Sequence, residues 1–132
     1  MDRSLQLIGM ARKAGLLAVG GEAVKAALRA GKAWLVISAS DASEGSARRT
    51  RFGAESSGAA YIDAPYTKFE IGNITGRGSP GTVAILDGGL AAGFVKGLAA
   101  NEPERYGEAE ELLESKVRCR AGKRESKRRT EV

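Results

Sequence analysis

The chain has 132 residues, of which 42% are hydrophobic, and this length suits one domain with a core of its own. Histidine is absent and cysteine occurs once, so the composition excludes zinc sites and Ser-His or Cys-His nucleophiles. The formal net charge of +5 favours anionic partners, although the surface lysines and arginines of an ordinary domain give similar totals. The lone Cys119 favours a reducing cytoplasm, and no apolar run is long enough to span a membrane.

The chain opens with the pattern of a helix followed by a short strand. An amphipathic spacing of apolar residues predicts a helix over about residues 3–14. Its last residues include Arg12 and Lys13, which place cations at the negative end of the helix dipole. Residues 16–19 then predict a strand that leads into two adjacent glycines.

Gly20 and Gly21 open the second predicted helix and form a candidate anion site. Glycine permits a positive φ, and the first N–H groups of a helix have no partner within it. Lys25, Arg29 and Lys32 recur on one face of this helix, so one side is basic while another packs. The alternative interpretation of the two glycines is a tight strand-to-helix turn without a ligand.

The next segment predicts a buried strand followed by a third helix. Gly31 stops the second helix, and the apolar run over residues 33–39 has the length of a fully buried strand. Asp41 or Ser43 can cap a third helix that ends near Gly58. This helix carries three arginines that we interpret as a solvated face: Arg48, Arg49 and Arg51.

The following residues repeat the alternation of strand and helix. Residues 60–63 predict a third strand, and Thr67 and Glu70 form a capping box that starts a short fourth helix. A β-branched strand over residues 82–87 and a helix over residues 88–98 complete the pattern. This alternation predicts an α/β domain with helices on both faces of a sheet.

Residues 76–81, Gly-Arg-Gly-Ser-Pro-Gly, are too rich in glycine for a helix or a strand. They lack the lysine and hydroxyl ending of a nucleotide-binding Walker motif. A flexible connector is one interpretation of this segment. The other is a loop in which Gly76, Arg77 and Ser79 contact a phosphate.

The last quarter of the sequence has a different character, and we predict a domain over residues 1–98 followed by a charged tail over residues 99–132. Pro103, early acidic residues and later cations match the helix dipole and predict an exposed helix over residues 103–119. Residues 120–129 have no apolar side chain larger than alanine, which predicts disorder. Four apolar residues form a narrow stripe for contact with the domain or with a protein partner: Tyr106, Leu112, Leu113 and Val117.

Five motifs follow one another in the order that marks a known family. They are Met10-Ala11-Arg12-Lys13-Ala14-Gly15, Gly20-x-Glu22, Gly31-Lys32-Ala33-x-Leu35-Val36, Asp41-Ala42-Ser43 and Ile71-Gly72-x-x-x-Gly76-Arg77. On these motifs, residues 3–98 resemble the kink-turn-binding ribosomal-protein superfamily, of the archaeal L-seven-Ae and eukaryotic L-thirty-e type. Within it, the chain is most similar to the YlxQ-like bacterial branch.

The resemblance implies a three-layer α/β/α sandwich around a four-stranded mixed sheet, without enzymatic activity or a cofactor. It also implies binding of structured RNA, kink-turn-like or ribosomal, in a cytoplasmic ribonucleoprotein linked to translation. Family members bind RNA through two neighbouring loops, which correspond to residues 19–22 and 76–81 here. The candidate RNA-binding residues are Arg12, Lys13, Gly20, Gly21, Glu22, Lys25, Arg29, Lys32, Gly76, Arg77 and Ser79.

The first loop departs from the family pattern. Archaeal members carry Asn where an ungapped match places Glu22, and Lys25 is one residue out of register with the family's lysine. Asn both donates and accepts hydrogen bonds, whereas ionised Glu only accepts. Glu22 therefore suits the N1 and N2 donors of guanine or the N4 donor of cytosine.

Two other functions are alternatives. The superfamily includes protein binders, so a protein-interaction module is one of them. A similar fold precedes the catalytic domains of some RNA methyltransferases, so the other is an accessory domain of an RNA-modifying assembly.

Overall fold

The computed structural model describes residues 3–76 and 78–130, with side chains up to residue 119. Six helices and four strands alternate along this part of the chain, which confirms the predicted α/β class. In chain order they are α1 (Arg3–Lys13), β1 (Leu17–Val19), α2 (Gly21–Arg29), β2 (Leu35–Ser38), α3 (Glu44–Ser57), β3 (Ala60–Asp63), α4 (Lys68–Thr75), β4 (Thr82–Ile85), α5 (Gly88–Asn101) and α6 (Pro103–Thr130).

The four strands form one mixed sheet in the order β1-β4-β2-β3. β4 runs antiparallel to both of its neighbours, and β2 and β3 run parallel. A parallel pair needs a crossover, and α3 supplies it. β4 therefore enters the sheet between β1 and β2, so its first residue lies at the end where those two strands finish.

Helices cover both faces of the sheet, as predicted. Alternate residues of β2 point to opposite faces, so Leu35 and Ile37 join one cluster of buried residues and Val36 joins the other. The larger cluster includes side chains of α1, α4, α5 and α6, whereas the smaller one includes side chains of α2 and α3. The result is a three-layer arrangement of helices, sheet and helices.

Local capping residues determine where α3 and α4 begin. Ser43, rather than Asp41, caps α3, because its Oγ accepts a hydrogen bond from the Ser46 N–H at 3.3 Å. Thr67 and Glu70 form the predicted capping box of α4, in which each side chain accepts from the other residue's backbone N–H. The carboxylate of Asp41 is thereby left for a contact elsewhere.

The first half of α6 packs into the larger core cluster. Tyr106 and Leu113 are 1% and 0% exposed, and the Tyr106 hydroxyl donates to the Asp63 C=O at 2.9 Å. Arg105 Nη2 donates to the same oxygen at 3.2 Å. The predicted boundary between residues 98 and 99 is wrong, since it falls inside α5 and separates these side chains from their core. Buried residues spaced so widely along a charged helix give a weak sequence signal.

The backbone of α6 is helical to Thr130, so the predicted helix end at residue 119 and the predicted disorder over residues 120–129 are not seen. Lys, Arg, Glu and Ala dominate this stretch, and all four have high helix propensity. Packing of the first half of α6 against the core also provides the nucleus from which a helix extends.

Candidate nucleic-acid interface

The two predicted loops lie side by side at one end of the sheet. β1 and β4 are antiparallel, so the end of β1 adjoins the start of β4, and Val19 pairs with Val83. The Gly20 N–H donates to the Thr82 C=O at 3.0 Å, which joins the start of α2 to the residue that follows the 76–81 loop. We call this region the loop end and define it as residues 20–25, 39–43, 67–68, 76 and 78–81.

The start of α2 presents uncapped backbone N–H groups at the loop end. Gly20 is the N-cap residue, with φ 91° and ψ 160°, a conformation that side-chain-bearing residues rarely adopt. It has no side chain to bond the first N–H groups of the helix, so these donors are open to an anion. Glu22 and Lys25 are exposed beside them, and the two side chains do not pair with each other.

Asp41 and Lys68, which the sequence did not identify as candidates, tie two more segments to the loop end. The Ala39 N–H donates to the Gly81 C=O at 2.9 Å, and the Lys68 N–H donates to Asp41 Oδ1 at 2.8 Å. A Cβ built on Gly81 would lie 3.9 Å from Lys68 Cδ, so the lysine stem passes beside the second loop. Because Asp41 and Lys68 are 27 positions apart, no local pattern links them.

Two carboxylates near the loop end are engaged in helix capping. Asp41 Oδ1 accepts from the Lys68 N–H, and Glu70 Oε1 accepts from the Thr67 N–H at 3.1 Å. Lys25 and Lys68 form no ion pair with any residue that the structure describes. The ammonium groups of this surface are therefore available to an external anion.

The chemistry of the loop end suits a phosphodiester backbone with a base edge beside it. Backbone N–H groups, ammonium groups and the hydroxyl of the exposed Ser79 all donate to phosphate oxygens. Glu22 adds an acceptor for a base N–H. Gly76 is exposed and ends α4 at the start of the second loop, while Arg77 lies outside the described residues.

The structure separates two of the candidate RNA-binding residues, Arg12 and Lys13, from the loop end. α1 ends at Lys13 and the chain enters β1 at Leu17, whereas Gly20 follows the last residue of β1. The two cations therefore lie at the opposite end of β1 from the loop end. Arg12 Nε is also buried and has no hydrogen-bond partner among the described residues.

Arg29 and Lys32 also lie away from the loop end. α2 spans Gly21–Arg29 and is about 13 Å long, so it carries Arg29 to the other end of the sheet. Lys32 follows the helix and lines, with Asp87, a cavity of about 600 Å³ there. Of the predicted basic face, only Lys25 remains beside the loops.

The described residues contain no group of three or more His, Cys, Asp or Glu side chains that could hold a metal ion. Burial raises the pKa of Tyr61 and of Tyr106 above the ordinary tyrosine value, but both hydroxyls are hydrogen-bonded within the fold.

Among the described helices, none is long and apolar enough to cross a membrane.

Comparison with known proteins supports the fold. No protein-family model matches the chain, and no curated protein matches it. The chain is similar to a solved structure of a protein with unknown function from Bacillus halodurans C, with a TM-score of 0.68 and 23% sequence identity. The similarity covers 74% of this chain and 97% of that chain. At this level of identity, the likeness shows a shared fold.

Proposed function

We propose that this protein is a non-catalytic, cytoplasmic RNA-binding protein that recognises kink-turn-like or ribosomal RNA through the loop end. This is the function expected of the YlxQ-like branch of the kink-turn-binding ribosomal-protein superfamily. The observation that carries the proposal is the hydrogen bond between Gly20 and Thr82, because it holds the uncapped start of α2 beside the second loop. Two adjacent donor-bearing loops suit an RNA whose backbone bends sharply, since RNA is recognised largely by shape.

The charges of the loop end favour RNA over a purely anionic ligand. Lys25, Lys68 and the first N–H groups of α2 attract any anion, but the exposed Glu22 among them repels one. A nucleic acid meets both features, because its bases offer N–H donors next to its phosphates. Residues 116–132, with eight basic and two acidic side chains, add sequence-independent attraction.

Replacement of Lys25 tests the proposal. The full-length protein is titrated at several salt concentrations with a kink-turn hairpin and with a perfect duplex of equal length. We expect the wild type to prefer the hairpin, and Lys25→Gln to weaken binding and reduce the salt slope by about 1, the effect of one lost phosphate contact. Lys96→Gln is the matched control, because Lys96 is exposed on α5, across the sheet from α2, and its loss should change neither quantity.

Two results would contradict the proposal. One is an equal affinity of the wild type for hairpin and duplex, with Lys25→Gln and Lys96→Gln indistinguishable. The other is capture, from lysate, of a protein partner that survives ribonuclease while no RNA is recovered, which would favour the protein-interaction module.

A further inference from the structure

We propose that the outer face of α3 is a second RNA-binding surface that takes single-stranded nucleotides flanking the structured RNA at the loop end. This inference rests on the proposed function. It assigns a role to Arg48 and Arg49, which their sequence pattern indicates only as part of a solvated face, and to Phe52, which lies one turn after them. We call these three residues the α3 face.

The aromatic ring of Phe52 is turned to solvent. Its side chain is 72% exposed, although a phenyl ring in a small α/β domain normally packs in the core. The opposite side of α3 is packed, because Ala54 is fully buried and a Cβ on Gly53 would lie 3.4 Å from Leu28 Cδ1 of α2. Phe52 therefore lies on the outer surface of α3, away from the side that packs on the domain.

The charge of the α3 face is unpaired. Arg48 and Arg49 are exposed and form no ion pair with any described residue. Arg51 differs, because its Nε lies 3.2 Å from Glu55 Oε1 and its side chain lines the groove beside β3. Two free guanidinium groups one turn from an exposed ring are the components of a single-strand site, where the ring stacks on a base and the arginines bind phosphates.

The α3 face is continuous with the loop end. α3 begins directly after Ser43, in the segment whose Ala42 Cβ would lie 3.8 Å from a Cβ on Gly81. Phe52 is nine residues beyond that cap, and at 1.5 Å per residue it lies about 13 Å along the helix axis. A strand that leaves the loop end along α3 therefore reaches Phe52 within about 13 Å.

The composition of the α3 face favours RNA over a protein partner. Protein interfaces are built around clusters of large apolar side chains that exclude water. Phe52 has no such neighbour on the outer face of α3, where the residues one turn before and after it are Arg48, Arg49, Glu55 and Ser56. A single ring beside two arginines matches one stacked base better than it matches an apolar patch.

The test compares a kink-turn hairpin alone with the same hairpin carrying a ten-nucleotide uridine extension at its 5′ or 3′ end. With the full-length wild type, we expect one of the two extensions to tighten binding about tenfold, within the range for one stacked base. Phe52→Ala and the double variant Arg48→Gln/Arg49→Gln should each abolish that gain without weakening binding of the bare hairpin. Arg51→Gln is the matched arginine control and should keep the gain, as should Phe52→Tyr, which keeps an aromatic ring.

Each outcome decides the inference. If the wild type binds the bare hairpin but neither extension tightens binding, the α3 face is not an RNA site, although the proposed function stands. A gain that survives in Phe52→Ala or in the double arginine variant overturns the inference in the same way. If the wild type does not bind the hairpin at all, the proposed function fails and this inference fails with it. Urea midpoints of the variants, expected to equal the wild-type value because the side chains are exposed, show that folding is intact.

Discussion

Leu113→Ala should destabilise the whole domain, because α6 is part of the core. Leu113 is fully buried, 0% exposed, in the cluster that also holds Phe94 and Tyr106. Loss of a buried leucine side chain costs about 2–5 kcal/mol, which is a large share of the roughly 5–15 kcal/mol that stabilises a typical domain. Leu112 is the matched control: it is the preceding residue of the same helix but is 45% exposed, so Leu112→Ala should cost about 0.5 kcal/mol or less.

Urea unfolding followed by fluorescence measures this difference. Trp34 is the single tryptophan, and its ring lies 3.0 Å from where a Cβ on Gly88 would stand, so it reports on packing at the start of α5. For a slope near 2 kcal/mol per molar urea, we expect the Leu113→Ala midpoint to fall by about 1–2.5 M. Equal midpoints for Leu112→Ala and Leu113→Ala would refute the view that α6 belongs to the core.

The other predictions concern one base contact and one phenol. If the proposed function holds, Glu22→Asn, which introduces the side chain that archaeal kink-turn-binding proteins carry at the matching position, should shift preference toward standard kink-turns over other structured RNAs by about 1–3 kcal/mol, measured as a ratio of affinities. An equal gain for all RNAs would instead indicate relief of charge repulsion. Burial raises the pKa of Tyr106, so the stability that it contributes is complete below about pH 10 and is lost as the pH rises through the higher folded-state value. Tyr106→Phe should lower the free energy of unfolding by about 0.5–1.5 kcal/mol at neutral pH. It should also reduce the loss of stability at alkaline pH, and an unchanged loss would exclude Tyr106 as its source.

Local signals in the sequence were sufficient to predict the elements of the fold. Ser43, Thr67 and Glu70 mark helix starts by hydrogen bonds that span three residues, and the structure contains those bonds. The hydrophobic run around Leu35 identified a strand that is buried on both faces. Capping hydrogen bonds and hydrophobic runs depend on residues that are close in the chain, so they can be predicted without knowledge of the tertiary structure.

The composition of the loop end was harder to predict, because it depends on where elements end in space. Lys32 follows Lys25 at helical spacing, but α2 stops before it and the turn carries it to the other end of the sheet. Lys68 reaches the loops through Asp41, a contact between distant parts of the chain. The periodicity of residues along one helix therefore predicts neither the position of Lys32 nor the contact between Asp41 and Lys68.

The two hydrogen bonds that α6 makes to β3 also bear on aggregation. β3 is an edge strand, and an open edge is a template on which the backbone of another molecule can add as a further strand. Tyr106 and Arg105 occupy the Asp63 C=O at the end of that edge and place the α6 backbone beside it. The other edge strand, β1, has three residues and offers little length for pairing. α6 thus hinders the addition of a strand from another molecule at the longer edge of the sheet. Detachment of this helix would expose apolar core residues and the strand edge together.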